Sequence, residues 1–348
     1  MLSAVLAVSA LAASACSSSS SSAGAKAATH GPLEQTRLRI GIPKGEIGAL
    51  PVYAGVDKGY FKAQGIDVAV DDNYPSYQDA LKALGDGKID LVYDDYVHAI
   101  LAQAKGDYRL QLVAEGYSAG DGSVQVLSKP TESSNEAQLR TVFGAQNSFL
   151  VPTAGSGDEN TAYTVPTVML MTRLPDIANS LKMKKGNASA HLKPITVGAI
   201  GETLAATPDP NLAAVEPEPF FSFTTSNDRV VKLMDLTRGS TKAMPMGGYF
   251  AKQDFAVTDT NLFKAFTAGL NQGKAAAGQR AGAMAEFQAH YGSLATATVA
   301  SSISFGTFPT TVSVDRLNRV LTLMKSVDLA PVYNLDTMMP PDAIRGNN

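Results

Sequence analysis

The chain has 348 residues, 45% of them hydrophobic and 18% charged, with 29 Lys and Arg against 32 Asp and Glu for a formal charge of −3. That composition excludes a disordered chain and gives enough length for two globular domains. It also excludes nucleic acid as a partner, because phosphate binding needs clustered cations and no basic run here exceeds Lys184-Lys185. Residues 2–15 are apolar and uncharged. The stretch is shorter than the ~20 residues that span a bilayer, but suits the core of a signal peptide. It ends in Ala13-Ser-Ala-Cys16, with the chain's one cysteine last.

That ending resembles the lipobox of bacterial lipoproteins, in which the chain is cut before the Cys and the sulfur carries diacylglycerol. The alternative is an ordinary secretory cleavage site beside a bystander Cys. No Lys or Arg precedes the apolar core, although signal peptides open with positive charge; a start codon assigned too far downstream accounts for this. Ser17 to Ser22 is an unbroken serine run, and the small polar residues after it continue a flexible tether. The expected layout is a signal peptide over 1–15 and a lipidated Cys16 with its tether over 16–35. A folded body is then leashed to the outer face of a bacterial cell membrane. No later segment is long and apolar enough to cross one.

Within the body, 37–42 is a β-type run stopped by Pro43. Residues 51–58 follow as a helix, with Tyr53, Val56 and Tyr60 on one face and Gly59 at its end. Ile66, Val68 and Val70 alternate as a strand. Ser76-Tyr-Gln-Asp79 is a capping box opening a helix that turns Ala80, Leu81 and Leu84 inward. A strand over 89–93, a helix over 96–104 and a strand over 110–114 complete a rhythm that predicts a largely parallel sheet covered by helices. The rhythm restarts after Val124–Ser128, with a strand at Ser148–Pro152, a helix at 165–174, and strands at 195–199 and 212–215. From Asn261 the chain turns helical, with core stripes Leu262, Phe263, Phe266, Leu270 and Leu317, Val320, Leu321, Met324. The body thus reads as α/β, with a first lobe over 36–123 and a second over 124–246. Residues 247–348 return to the first lobe and supply the C-terminal helices.

Three segments follow one family's order: Leu38-Arg-Ile-Gly-Ile42, Ala54-Gly-Val-Asp-Lys-Gly-Tyr-Phe-Lys-Ala-Gln-Gly-Ile-Asp-Val68, and Ala80-Leu-Lys-Ala-Leu-Gly-Asp-Gly-Lys-Ile-Asp-Leu91. They resemble the substrate-binding proteins of nitrate/sulfonate/taurine-type ABC importers, which share a superfamily with thiamine-pyrimidine synthases. Ala213-Ala-Val-Glu-Pro-Glu-Pro-Phe220 resembles that family's second-lobe segment, and Gly248-Tyr-Phe-Ala-Lys its return crossing. The resemblance, spanning roughly residues 37–340, implies a bilobed, type II periplasmic-binding-protein-like fold with a ligand cleft between the lobes. The crossings are expected near 123–128 and 247–251. It further implies a small-molecule ligand, an ABC permease with its ATPase as partner, hinge closure as the mechanism, and a monomer without a cofactor. A sensor docking on a signalling receptor would use the same clamshell.

Sheets of this class bind ligands beyond the carboxyl ends of their strands. The loops after the predicted strands supply Lys44, Glu46 and Leu50; Tyr74, Ser76 and Tyr77; Asp94, Asp95 and Tyr96; Glu115, Tyr117 and Ser118. The second lobe adds Ser156 and Asp158 from Gly155-Ser-Gly-Asp158, and Glu216. Ser76 is equally a helix cap, Asp94-Asp95 a cap with a solvated neighbour, and Gly155-Ser-Gly a turn or an anion-holding set of N–H groups. Pro166 sets the helix start at Thr164 and leaves 158–163 extended, which displaces the family's helix-dipole anion site. The loops carry six carboxylates against Lys44 alone. An anion recruits Arg or free N–H groups, whereas aromatics with carboxylates suit a cationic or amine-bearing ring. The expected ligand is therefore a small nitrogenous compound of aminopyrimidine type; aliphatic sulfonate, taurine or nitrate is the alternative.

An enzyme is not expected. Pyrimidine synthases, as the resemblance implies, rely on His and a Cys-rich iron motif, and Cys16 is spent at the lipobox. A nucleophile elbow, a Walker-type loop and a His/Asp/Ser arrangement are likewise not expected. Four His (His30, His98, His191, His290) at spacings without His-x-x-x-His or His-Glu-x-x-His predict no metal site, and His98 reads as an ordinary packed histidine.

Overall fold

The computed structural model describes residues 30–130, 148–156, 159–181, 191–209, 211–227 and 230–341. The expected signal peptide, Cys16 and most of the tether lie outside the described residues, as does Asp158.

Leu38, Ile40 and Ile42 alternate along β1 (Arg37–Pro43) and are wholly buried, so this strand takes an interior place. It pairs in parallel with β2 (Asp67–Tyr74) on one side and β3 (Leu91–Asp95) on the other. β4 (Leu110–Ser118) ends the first run of the sheet. The chain then enters a second sheet as β5 (Val124–Ser128), followed by β6 (Ser148–Pro152), β7 (Leu192–Ile195), β8 (Leu212–Pro217) and β9 (Val231–Asp235). It returns as β10 (Pro245–Lys252), inserted antiparallel between β3 and β4. The strand orders are β2-β1-β3-β10-β4 and β7-β6-β8-β5-β9. In each sheet the antiparallel strand next to the edge, β10 or β5, is the segment that has just crossed over. Close pairing of β10 needs glycine, since a Cβ on Gly247 would lie 2.6 Å from the Asp94 carbonyl oxygen.

Helices cover both sheets, and the two predicted stripes are core. Leu262, Phe263, Phe266 and Leu270 lie on the helix Thr260–Ala277, while Leu317, Val320, Leu321 and Met324 lie on Val314–Ser326. One apolar cluster runs through both lobes, joining Leu38 and Tyr249 to Val165, Val168 and Val215. No described helix is long and apolar enough to cross a membrane.

Three readings of the sequence are corrected. Within 158–163, expected to be extended, Glu159–Ala162 forms a 3-10 turn. The strand expected over 195–199 is Leu192–Ile195, followed by a 3-10 turn Val197–Ala199 that leads into the helix Ile200–Ala206. β7 is an edge strand whose one neighbour, β6, ends at Pro152 opposite Ile195, so no ladder exists beyond that residue. The edge strand β9 was not expected, and it pairs with β5.

The helices Leu50–Asp57 and Thr260–Ala277 approach so closely that a Cβ on Gly273 would collide with the carbonyl oxygen of Pro51. Gly273→Ala is therefore expected to cost roughly 1–3 kcal/mol, the usual penalty for overpacking, read as a lowered urea midpoint. A midpoint equal to wild type would contradict this packing.

Candidate functional site

A cavity of about 310 Å³ lies between the two sheets. The first lobe lines it with Lys44, Glu46, Ser76, Tyr77, Tyr93, Asp95 and Tyr117, and the second with Thr153, Ser156, Thr164, Glu218 and Phe220.

The wall begins where β1 stops at Pro43. Gly45, with φ of 79°, turns the chain so that Glu46 caps the short turn Ile47–Ala49. Glu46 Oε1 accepts from the Gly48 N–H at 3.0 Å, and Oε2 accepts from the Tyr77 hydroxyl. Burial pushes the Glu46 carboxyl up, against the pull of those two bonds. Ser76 caps the helix Tyr77–Gly85, its Oγ accepting from the Asp79 N–H at 3.1 Å, as the capping box predicts. Ser76 is thus both a cap and part of the wall.

β3 turns alternate residues to opposite faces. Tyr93 and Asp95 face the cavity, and Asp94 faces away. Asp94 accepts from His98 Nδ1 at 2.8 Å, while His98 Nε2 meets Gln78 Oε1 at 3.0 Å. Burial lowers the His98 pKa, but the Asp94 charge and hydrogen bond outweigh it and leave it raised. Asp95 caps the helix Tyr96–Lys105, accepting from the N–H groups of Val97 (2.8 Å) and His98 (3.2 Å). Its second oxygen accepts from the Val165 N–H at 2.9 Å, across the cleft. Burial pushes Asp95 up, to about 8, while its N–H donors pull the other way.

From the second lobe, the helix Val165–Leu181 carries Pro166 at its second position, as the sequence predicts. Thr164 Oγ1 donates to the Pro152 carbonyl at 3.1 Å. Glu218 follows the end of β8 and is 3% exposed. Its Oε1 accepts from the Ser304 N–H and the Ser222 hydroxyl, each at 2.8 Å, while Oε2 is buried with no hydrogen-bond partner. Burial raises its pKa to about 7, against those two bonds. The Tyr93 hydroxyl is also buried without a partner.

Of the residues singled out in the sequence, Glu46, Ser76, Tyr77, Asp95, Tyr117 and Ser156 come together on the cavity wall. Leu50, Tyr74, Asp94, Tyr96 and Glu216 do not. Leu50 opens a helix in the core, and Tyr74 packs beside Gly41 at the end of β2. The Tyr96 ring meets Phe250 edge-on at 6.1 Å, and Glu216 accepts from the Thr224 hydroxyl at 3.1 Å. Glu115 is held by Arg316 at 2.8 Å, and Ser118 bridges Thr307. Sequence reasoning missed Glu218 because it ended β8 at Val215; the strand runs to Pro217, so Glu218 is the first residue past it. Tyr93 and Phe220 were also missed.

Gly116-Tyr-Ser-Ala-Gly120 does have the nucleophile-elbow spacing, contrary to expectation. An elbow needs a strand-to-helix turn, whereas Ser118 ends β4 and the chain runs on into β5. His98 and His290 are both engaged elsewhere. Asp57, Glu286 and His290 also meet, on the outside of the first lobe, in a group whose ligand atoms lie within 4.8 Å of one another. The Lys58 ammonium, 2.6 Å from Glu286, and the 2.8 Å contact of His290 with Asp57 already satisfy it.

Residues 47–136 match the family model NMT1/THI5 like. Over 58 residues the chain is 36% identical to THI11 and THI13 of Saccharomyces cerevisiae, two 4-amino-5-hydroxymethyl-2-methylpyrimidine phosphate synthases. The matched stretch spans 16% of this chain and 16% of each yeast protein. The ligand-binding component of an ABC-type import system from Staphylococcus aureus superposes with a TM-score of 0.67 at 15% identity, covering 88% of this chain and 97% of that one. The periplasmic aliphatic sulphonate binding protein SsuA of Escherichia coli gives 0.63 at 16% identity, covering 90% and 95%. The periplasmic nitrate-binding protein NrtA from Synechocystis gives 0.55 at 12%, covering 74% and 67%. The fold is the periplasmic-binding-protein fold.

A glutamate pKa raised from 4.5 to about 7 means the folded state keeps a proton that the unfolded state releases. Stability contributed by that proton is present below pH 4.5 and is lost as pH rises through 7. Glu218→Gln removes this loss. Its stability relative to wild type is expected to grow by about 2–3 kcal/mol between pH 5 and 8, measured by urea unfolding. A difference independent of pH would contradict the burial of an ionisable Glu218.

Proposed function

We propose that this chain is the substrate-binding component of an ABC-type importer, outside the cell and tethered through a lipidated Cys16. It captures one small nitrogenous solute between a first lobe (36–123 with 247–348) and a second (124–246), and acts as a monomer. Closure of the lobes around the solute presents a shape that a permease accepts, and its ATPase drives import. A ligand can shift the lobes only by contacting the closed state better than the open one.

The observation that carries the reading is a cavity between two lobes whose wall holds an unpartnered buried carboxylate oxygen, Glu218 Oε2. Such an oxygen calls for an N–H donor. Glu46 and Asp95 on the same wall, with Tyr77, Tyr93, Tyr117 and Phe220, suit an amine-bearing ring, while Lys44 is the one cationic side chain lining it among the described residues. The likeness to aliphatic sulphonate- and nitrate-binding proteins supports the importer role. The match to the yeast synthases lends support to an aminopyrimidine-type ligand, and it is also what a synthase-like enzyme would rest on. Against catalysis stand the lack of any His among the described residues of the cavity wall and the single cysteine, far from it in sequence.

A thermal-shift panel tests this with aminopyrimidines and other small ring amines against taurine, methanesulfonate and nitrate. A ligand at 100 times its dissociation constant adds about 2.7 kcal/mol of stability. A ring amine is expected to raise the wild-type midpoint, and Glu218→Gln to weaken its binding tenfold or more. A shift with sulfonates alone would overturn the ligand class.

A further inference from the structure

Asp95 sits where two helices from opposite lobes begin. One oxygen starts the first-lobe helix Tyr96–Lys105 through the N–H groups of Val97 and His98. The other accepts from Val165, the first residue of the second-lobe helix Val165–Leu181. A helix N-terminus carries roughly half a positive charge and, left open, is a seat for an anion. Here two such seats converge across the cleft and share one carboxylate belonging to the chain itself. The place opens on the cavity, for Asp95, Thr164 and Pro166 all line its wall. Tyr93, two residues earlier on the same face of β3, brings its buried, unpartnered hydroxyl to that wall.

We propose that Asp95 sets the charge of the ligand: filling the seat between the two helices, it excludes sulfate-, sulfonate- and nitrate-like anions and leaves the cleft to neutral and cationic nitrogenous solutes. The inference rests on the solute-binding reading and deepens it. An incoming anion has two routes. It can displace Asp95 from its three N–H groups, which strands a buried carboxyl, or it can lie beside Asp95, against like charge once the pH exceeds the value of about 8 to which burial raises that group; both are costly. A neutral or cationic donor meets neither obstacle. The Val165 bond also joins the lobes directly, beside a second bond from the Gln78 N–H to the Ala154 carbonyl at 2.8 Å.

Calorimetric titration of the full chain with sodium methanesulfonate and sodium sulfate at pH 9, where Asp95 is ionised, tests the proposal, using wild type, Asp95→Ser and Asp95→Asn. The serine hydroxyl keeps an oxygen for the Val97 and His98 N–H groups, as Ser76 does for its own helix, but is too short to reach Val165. Asp95→Ser is expected to bind methanesulfonate at least tenfold more tightly than wild type. Asp95→Asn, which loses the charge and keeps the length, should fall between them and carries the test if the serine variant fails to fold. Wild type binding the anion as tightly as Asp95→Ser would overturn the proposal. So would folded variants, verified by circular dichroism, that gain no anion affinity. A ring amine titrated into wild type reads the parent hypothesis separately. Its failure to bind, alongside a gain of anion binding in Asp95→Ser, would remove the amine ligand and leave the role of Asp95 standing.

Discussion

A carboxylate taken out of water costs several kcal/mol unless hydrogen bonds replace the water it loses. The cleft holds three, Asp95 and Glu218 fully buried and Glu46 partly so, and each is served by backbone N–H groups. Those donors stand at starts and connections of the chain. Gly48 lies in a turn, Val97 and Val165 lie at the starts of two helices, and Ser304 sits in the segment between the helices Ala297–Ser302 and Val314–Ser326. Satisfying the acids therefore positions the loops, and the loops shape the cavity. Asp95 uses both its oxygens in this way, and Glu46 fills its second with the Tyr77 hydroxyl. Glu218 has one to spare, and so the same chemistry that builds the wall leaves a single oxygen for a guest.

Much of the fold was legible because its elements obey local rules. β5 and β6 begin and end where the apolar runs do, and Ser76 caps its helix through the Asp79 N–H as the spacing implies, its hydroxyl donating in turn to the Asp79 carboxylate. Pro166 marked a helix start correctly because a missing N–H costs nothing in the first turn. What failed was set by neighbours rather than by residue type. Ile195, Val197 and Ala199 alternate like a strand, yet a strand lasts only as long as its partner, and β6 stops at Pro152. β9 has the opposite history: a modest sequence became a strand because the edge of β5 lay open to it.

The site was half legible for a related reason. Naming the loop after each strand found the correct regions, but a shift of two residues in a strand end changes which acid faces the ligand. Asp94 and Asp95 look equivalent in sequence, and the pleat sends one to His98 and the other to the cavity. Glu216 and Glu218 share a face of the β8 direction, yet only the second lies beyond the ladder with β5. The meeting of Asp95 with Val165 was beyond local inference altogether, since it joins residues of different lobes.

The two lobes are joined by backbone that lies side by side. Ser118 exchanges two hydrogen bonds with Thr307, at 2.9 and 3.0 Å, and the Ala119 N–H donates to the Met244 carbonyl at 2.9 Å. Three passing segments are thereby stitched into a narrow ribbon at the waist of the molecule. A single tether would let one half swivel, twist and slide against the other. A stitched ribbon resists twisting and sliding, because both would shear its hydrogen bonds, but it flexes easily across its thin dimension. In the proposed closure such a waist would act as a strip hinge and leave the halves one angle of freedom.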